Sequence, residues 1–257
     1  MATTARSPRS GEALEAPPAP RLDAISLFVD LDGTIAPLEL TPQAVGPDQE
    51  RRRLLDRLVA RLGGRLAVVS GRTLADLDRV LEGRIPALGA VHGLERRRAD
   101  GRVFRATGRA RIAKALASLK EFAAADPALL VEDKGLAVSL HYRRDPSAGP
   151  ACRDLAARLG PRLGLSVQEG DMVVELREPG PDKGAVLAAF MSEAPFAGHA
   201  PVFLGDDLTD EDGFLAAARL GGYGVVVGPR RPTAATYALS DVTAARAWLN
   251  AALDAPA

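Results

Sequence analysis

Asp30-Leu31-Asp32-Gly33-Thr34 follows directly on the apolar run Ile25-Ser26-Leu27-Phe28-Val29. A carboxylate at the end of a buried strand can act as a nucleophile toward phosphorus. A second one, two residues on, can protonate a leaving group and later deprotonate water. Gly33 lets the backbone turn tightly beside a bound anion. An Asp-Gly turn leaving a strand is common, so this segment alone does not decide between chemistry and a turn.

Three later segments carry matching chemistry. Ser70 ends a second apolar run, just ahead of a helix start at Thr73, and can hydrogen-bond a phosphoryl oxygen with help from helix N-terminal amides. Arg72 reads either as a phosphate ligand or as a surface charge. Lys183 lies at the N-terminal end of a helix, where the macrodipole disfavours it. It makes sense there if it neutralises phosphoryl oxygens and the Asp30 carboxylate. Asp206 and Asp207 follow the apolar Val202-Phe203-Leu204, whereas Glu211 and Asp212 are ordinary first-turn acids. Adjacent carboxylates at a strand end facing Asp30 need a cation, and Mg²⁺ with its oxygen ligands suits a phosphoryl substrate.

The elements that must hold these residues follow from periodicity. Short runs, apolar on both faces, at 25–29, 66–69, 87–91, 202–204 and 225–227 read as buried parallel strands. Helical patterns at 48–62, 73–81, 183–192, 211–220 and 243–253 lie between them. Strand–helix alternation at both ends of the chain predicts a doubly wound α/β sheet, with its ligand site at the carboxyl ends of the strands. The middle of the chain differs. Helices at 109–122 and 151–163 alternate with hairpins at 129–142 and 165–177, an α+β module inserted between the two halves of the sheet.

Composition excludes several classes. The chain of 257 residues balances 33 basic against 33 acidic side chains, which removes the electrostatic case for nucleic acid or an anionic membrane. No run of about 18 apolar residues exists. The N-terminus lacks a signal peptide's apolar core. The single Cys152 cannot form an internal disulfide and suits a reducing, cytoplasmic setting. Residues 1–20 read as a disordered lead-in. Arg96-Arg97-Arg98 reads as a solvated loop, and Trp248 as core packing.

The four motifs in this order resemble the haloacid dehalogenase (HAD) superfamily. Within it, residues 28–37, Ser70-Gly71-Arg72, His92-Gly93, His141-Tyr142-Arg143, Glu175-Leu176-Arg177 and the 205–211 segment are similar to trehalose-6-phosphate phosphatases. The resemblance spans about residues 25 to 250 and departs at Arg177-Glu178-Pro179, where the family more usually has proline straight after arginine. It implies a HAD-like, Rossmann-like core of residues 21–105 and 179–257 with a cap at 106–178. It also implies an Mg²⁺-dependent, expected monomeric phosphatase acting on trehalose 6-phosphate. Asp30 would be the nucleophile and Asp32 the acid and base. Asp30, the Asp32 carbonyl and Asp206 would hold Mg²⁺, with Asp207 or Asp210 acting indirectly. Leu31, Ser70, Arg72 and Lys183 would line the phosphoryl site. The same mechanism would serve sucrose phosphate or mannosyl-phosphoglycerate, and a non-catalytic sugar-phosphate sensor would keep the fold.

Strand alternation adds a reading of the inserted module itself. Leu136, Val138 and Leu140 share one face, and Ser139, His141 and Arg143 the other. Val173, Glu175 and Arg177 are likewise set apart from Met172, Val174 and Leu176. An apolar face is thus left for helices and a polar face for a hydroxyl-rich ligand. Glu175 and Lys134 are the leading candidate sugar ligands, with Arg143 and Arg177 next. A solvated sheet face would look the same. His141 could equally be a structural hydrogen-bonder. His92 sits in a glycine-flanked loop near the core edge, and His199 reads as surface.

Overall fold

The computed structural model describes residues 14–230 and 232–254. In chain order the first elements are β1 (Ile25–Val29), α1 (Gln49–Arg61), β2 (Leu66–Val69), α2 (Leu74–Leu81), β3 (Ala87–Ala90), β4 (Glu95–Arg97) and β5 (Val103–Arg105). Then come α3 (Arg109–Ala123), β6 (Leu130–Asp133), β7 (Ala137–His141), α4 (Gly149–Leu163), β8 (Ser166–Gly170) and β9 (Val173–Arg177). The chain ends with α5 (Lys183–Met191), β10 (Ala200–Gly205), α6 (Glu211–Arg219), β11 (Tyr223–Val227), β12 (Tyr237–Leu239) and α7 (Val242–Asp254).

Two compact units emerge, a core up to Phe104 and from Pro181 onward, and an inserted unit, Arg105–Gly180. The core holds an eight-stranded sheet in the order β12-β11-β10-β1-β2-β3-β4-β5. Pairing is parallel from β12 through β3, and β4 turns antiparallel on β3. β1 is flanked by β10 and β2, so the winding reverses beside it. A crevice outside the carboxyl ends of such a reversal is where open α/β sheets bind ligands. All five residues of β1 are buried, because helices cover both sheet faces.

Local signals place the helices. Asp48 caps α1 by accepting from Arg51 N, and Thr73 caps α2 by accepting from Asp76 N. Phe28, Phe190, Phe196, Phe203 and Phe214 lie in one core cluster, with Phe28 and Phe196 stacked at 5.4 Å. Burying each such ring contributes about 1.5–3 kcal/mol.

Several segments depart from the sequence expectations. Residues 14–20, expected to be disordered, lie along the core: Leu14 packs on the aromatic cluster, Ala238 N donates to Glu15 O, and Trp248 Nε1 donates to Pro18 O. The expectation for residues 1–13 falls outside the described residues. Trp248 is therefore half-buried and straps this segment rather than filling the core. The arginine triplet is not a solvated loop. Arg96 and Arg97 belong to β4, where Arg97 forks onto Asp78 at 2.8 Å and Arg96 reaches Glu193 at 2.7 Å. The strands β5 and β12 carried too few residues to show a period.

The inserted unit is an antiparallel sheet in the order β6-β7-β9-β8. Its apolar face (Val138, Leu140, Val174, Leu176) packs with Ile112 and Leu119 of α3 and Ala156 of α4. Cys152 is buried in this cluster, and burial pushes its thiol above the ordinary value. A raised thiol is a poor nucleophile. Among the described residues, no helix is long and apolar enough to cross a membrane.

Candidate active site

Asp30 leaves β1 with its N–H still donating to Leu204 O of β10 at 2.9 Å, so its carboxyl is fixed at the winding reversal. Lys183, the first residue of α5, reaches the same point: its Nζ donates to Asp30 Oδ1 at 2.9 Å and to Asp210 Oδ1 at 2.6 Å. Asp210 belongs to a short 3-10 turn (Leu208–Asp210) that follows β10. Its Oδ2 accepts from the amides of Asp206 and Asp207 at 3.0 and 2.9 Å, which bends the acidic segment into a closed loop. Arg230, just past β11, donates to Asp206 O and Asp207 Oδ1, both at 3.2 Å. Sequence reasoning missed Arg230; its position directly after a core strand beside β10 was the one available signal.

The electrostatics are unbalanced. Burial pushes the Asp30 carboxyl up to about 8, with Lys183 opposing and Asp210 and Asp32 adding to the rise. Burial, then Asp30 and Asp210, pushes Asp206 up to about 9. Asp207 is raised by burial as well. Burial would lower the Lys183 pKa, but Asp210 and Asp30 raise it above the ordinary value, so its charge is secure. One ammonium does not neutralise three clustered carboxyls.

Asp30, Asp206 and Asp210 each offer an oxygen, all within 4.8 Å of one another. An all-oxygen donor set with excess negative charge fits a hard divalent cation. Gly33 fits the same picture: at φ 77°, a Cβ there would sit 2.1 Å from Asp206 Oδ2. Only glycine lets Asp206 close on Asp30. Thr34 Oγ1 adds a hydrogen bond to Asp206 Oδ1 at 3.3 Å.

Ser70 is buried at the end of β2, with its N–H on Gly89 O at 2.8 Å. Its carbonyl accepts from His92 N at 3.0 Å. The loop supplying that amide is strained: Val91 and His92 both have positive φ, 47° and 53°. A β-branched residue in that region is a genuine outlier, and such strain collects at functional sites. The His92 ring lies against Gly71, where a Cβ would come within 2.4 Å of Nε2.

Arg72 is not a surface charge. It is buried, and its Nε and Nη2 fork onto Asp32 Oδ2 and Oδ1 at 2.6 and 2.8 Å. Its Nη1 donates to Pro42 O at 2.9 Å and to Asp76. Those donors face protein acceptors, which corrects the surface-charge expectation. Leu31 is fully buried beneath the turn, so any ligand contact it makes is through its backbone.

In the inserted unit, register aligns Glu132, Ser139, Glu175 and Gln168 in one row across all four strands. Lys134 Nζ donates to Glu175 Oε2 at 2.7 Å, and Ser139 Oγ donates to the same oxygen at 2.6 Å. His141 Nε2 bonds Glu132 Oε2 at 2.9 Å. Burial would raise the Glu132 carboxyl, but Lys134 and His141 hold it below the usual range. Arg177 Nη1 donates to Gln168 Oε1 at 3.3 Å, on the same face. Arg143 is instead engaged at the β8–β9 turn by Asp171, through its carbonyl and its carboxylate, both at 2.9 Å. His199, expected at the surface, is half-buried just before β10, with its Nδ1 3.2 Å from Ala197 O.

The chain is similar to known trehalose-phosphate phosphatases. The trehalose-phosphatase family model matches residues 28–243. The trehalose-6-phosphate phosphatase of Escherichia coli is 40% identical over 228 residues, covering 87% of this chain and 84% of that protein. A "Probable trehalose-phosphate phosphatase" of Sinorhizobium fredii is 39% identical over 230 residues, covering 88% and 85%. The solved C-terminal domain of the C. albicans trehalose-6-phosphate phosphatase superposes with a TM-score of 0.84 at 23% identity, covering 96% of this chain and 100% of that one. That likeness shows the fold, which is HAD-like.

Proposed function

The chain belongs to the trehalose-phosphatase family and is a phosphatase, and we propose that it hydrolyses trehalose 6-phosphate to trehalose and phosphate through a phosphorylated Asp30. The observation that carries the reading is the Lys183 ammonium bridging Asp30 and Asp210 beside Asp206, at the winding reversal of the sheet.

Asp30 attacks phosphorus, the bond from phosphorus to the sugar oxygen breaks, and Asp32 delivers a proton to that oxygen. Water then attacks the phosphorylated Asp30, and Asp32 takes up its proton. Lys183 and Ser70 hold the transferring oxygens, so most of the catalysis is positioning and charge neutralisation. Mg²⁺, held by Asp30, Asp206 and the Asp32 carbonyl, would supply neutralisation of the phosphoryl charge. Asp210 acts indirectly, by seating Lys183 and the 206–207 amides.

Residues 106–178 form the substrate-specificity cap in this reading. Glu175 and Lys134 are its sugar hydroxyl ligands, because a buried carboxylate–ammonium pair on a polar sheet row offers both acceptors and donors. Phosphate release is measured with Mg²⁺ across trehalose, sucrose, glucose and mannose phosphates, with Asp30→Asn as control. Turnover concentrated on trehalose 6-phosphate and abolished in the variant is expected. Equal turnover of simple hexose phosphates would sink the cap assignment, and binding without any turnover would favour a sensor.

A further inference from the structure

Both proton transfers proposed for Asp32 demand that one carboxylate oxygen stay within hydrogen-bond reach of the leaving oxygen and then of water. Asp32 lies in a turn rather than in a strand, next to Gly33 at φ 77°, and its side chain is 26% exposed. Local backbone does little to fix such a side chain. We propose that Arg72 is the positioning residue of Asp32, an inference that rests on the acid–base reading of Asp32 given above.

The geometry carries it. A guanidinium fork meets both Asp32 oxygens at 2.6 and 2.8 Å, which sets the carboxylate plane as well as its place. The fork is itself anchored on its far side. Nη1 donates to Pro42 O at 2.9 Å and to Asp76, and Asp76 N is fixed at 3.2 Å by the Thr73 cap of α2. The chain of contacts therefore runs from the start of α2, through a side chain only 6% exposed, to the reacting carboxylate. Lysine could keep the charge but not the two-point geometry. Arg72 touches no reacting atom in this scheme, so its effect passes wholly through Asp32.

The test compares Arg72→Ala, Arg72→Lys, Asp32→Asn and the double variant Arg72→Ala/Asp32→Asn in Mg²⁺. Steady-state turnover is followed on trehalose 6-phosphate, and the nitrophenol burst on p-nitrophenyl phosphate, whose leaving group needs no proton. Misplacing a catalytic group by about 1 Å costs about 10²-fold, and a loss of that size in kcat is expected for Arg72→Ala on the sugar phosphate. Arg72→Lys should lose nearly as much, and the nitrophenol burst rate should be preserved. The double variant should be no slower than Asp32→Asn alone.

A double variant slower by the product of the single losses would overturn the proposal, as would a burst slowed as much as sugar turnover, because Arg72 would then act on the phosphoryl group. If Asp32→Asn leaves sugar turnover intact, the acid–base reading fails instead. Should Arg72→Ala not fold, Arg72→Lys and Asp76→Asn decide. Both are expected to lower sugar turnover and spare the burst, and wild-type behaviour in both would overturn the assignment.

Discussion

Both units bury a lysine against carboxylates, but they assemble it differently. In the core, Lys183 meets Asp30 from 153 residues away, and three carboxyls crowd one ammonium. In the inserted unit, Lys134, just past the end of β6, meets Glu175 of β9 over one small sheet, 41 residues apart, with His141 and Lys134 balancing Glu132. The first cluster holds more carboxyls than one ammonium can balance once they ionise, so their ionisation calls for a cation; the second is nearly neutral and offers only directed hydrogen bonds. One arrangement suits a charged reacting group, the other a polyhydroxyl leaving group.

The sharpest way to break this contrast is Lys183→Met. Removing one partner of a buried ion pair costs about 3–5 kcal/mol, because Asp30 and Asp210 are left uncompensated. Losing a preorganised charge at a transferring group also lowers kcat by about 10²–10³-fold. Chemical denaturation with and without Mg²⁺, alongside phosphate release, measures both. A fold that tolerates the change without added cation would remove the charge imbalance from the argument.

The second expectation concerns pH without metal. Folded Asp30 and Asp206 hold their protons up to about 8 and about 9, against an ordinary 3.8. Between those values the unfolded chain binds fewer protons, so stability is greatest at the acid end and falls as pH rises through that window. Thermal midpoints in chelator should decline across the window, and Mg²⁺ should restore most at the alkaline end. A chelated protein that grows more stable with rising pH would contradict the imbalance.

Glu175→Gln tests the other cluster. A hydrogen bond to a charged group contributes about 1.5–3 kcal/mol, so KM for trehalose 6-phosphate should rise about 10- to 100-fold. Turnover of p-nitrophenyl phosphate should change little. Equal damage to both substrates would mean that Glu175 is structural. The smallest effect is expected for Arg143→Ala, since its partner Asp171 is half-exposed and such pairs contribute about 0.2–1 kcal/mol. A large KM change there would place the sugar contacts nearer the β8–β9 turn.

The ends of β1, β2 and β10 were legible because a buried parallel strand writes itself as a short apolar run, broken by the very residues that do chemistry. The hairpins of the inserted unit were legible from alternation, and the start of α2 from Thr73. What was not legible is whatever depends on partners remote in sequence. The arginines of β4 look solvated until Asp78 and Glu193 arrive. Arg72 looks like a free charge until Asp32, 40 residues earlier, turns its carboxylate toward it. Arg143 shares alternation with Ser139 and His141, but the strand ends at His141, so the period ceases to govern where it goes.

The placement of β1 between strands made at opposite ends of the synthesis order has a consequence for the chain as it leaves the ribosome. Its partner β10 begins at Ala200, after the whole inserted unit has been made. A nascent chain that has emerged only to Gly180 therefore presents Ile25–Val29 as an apolar strand with one edge unpaired, a template for association with other chains. The same fragment carries Asp30, Asp32 and Ser70 without Lys183, Asp206 or Asp210. Sealing that edge and completing the charge cluster thus come from one translated segment, so a stalled or truncated product should aggregate rather than linger as a partly active phosphate binder.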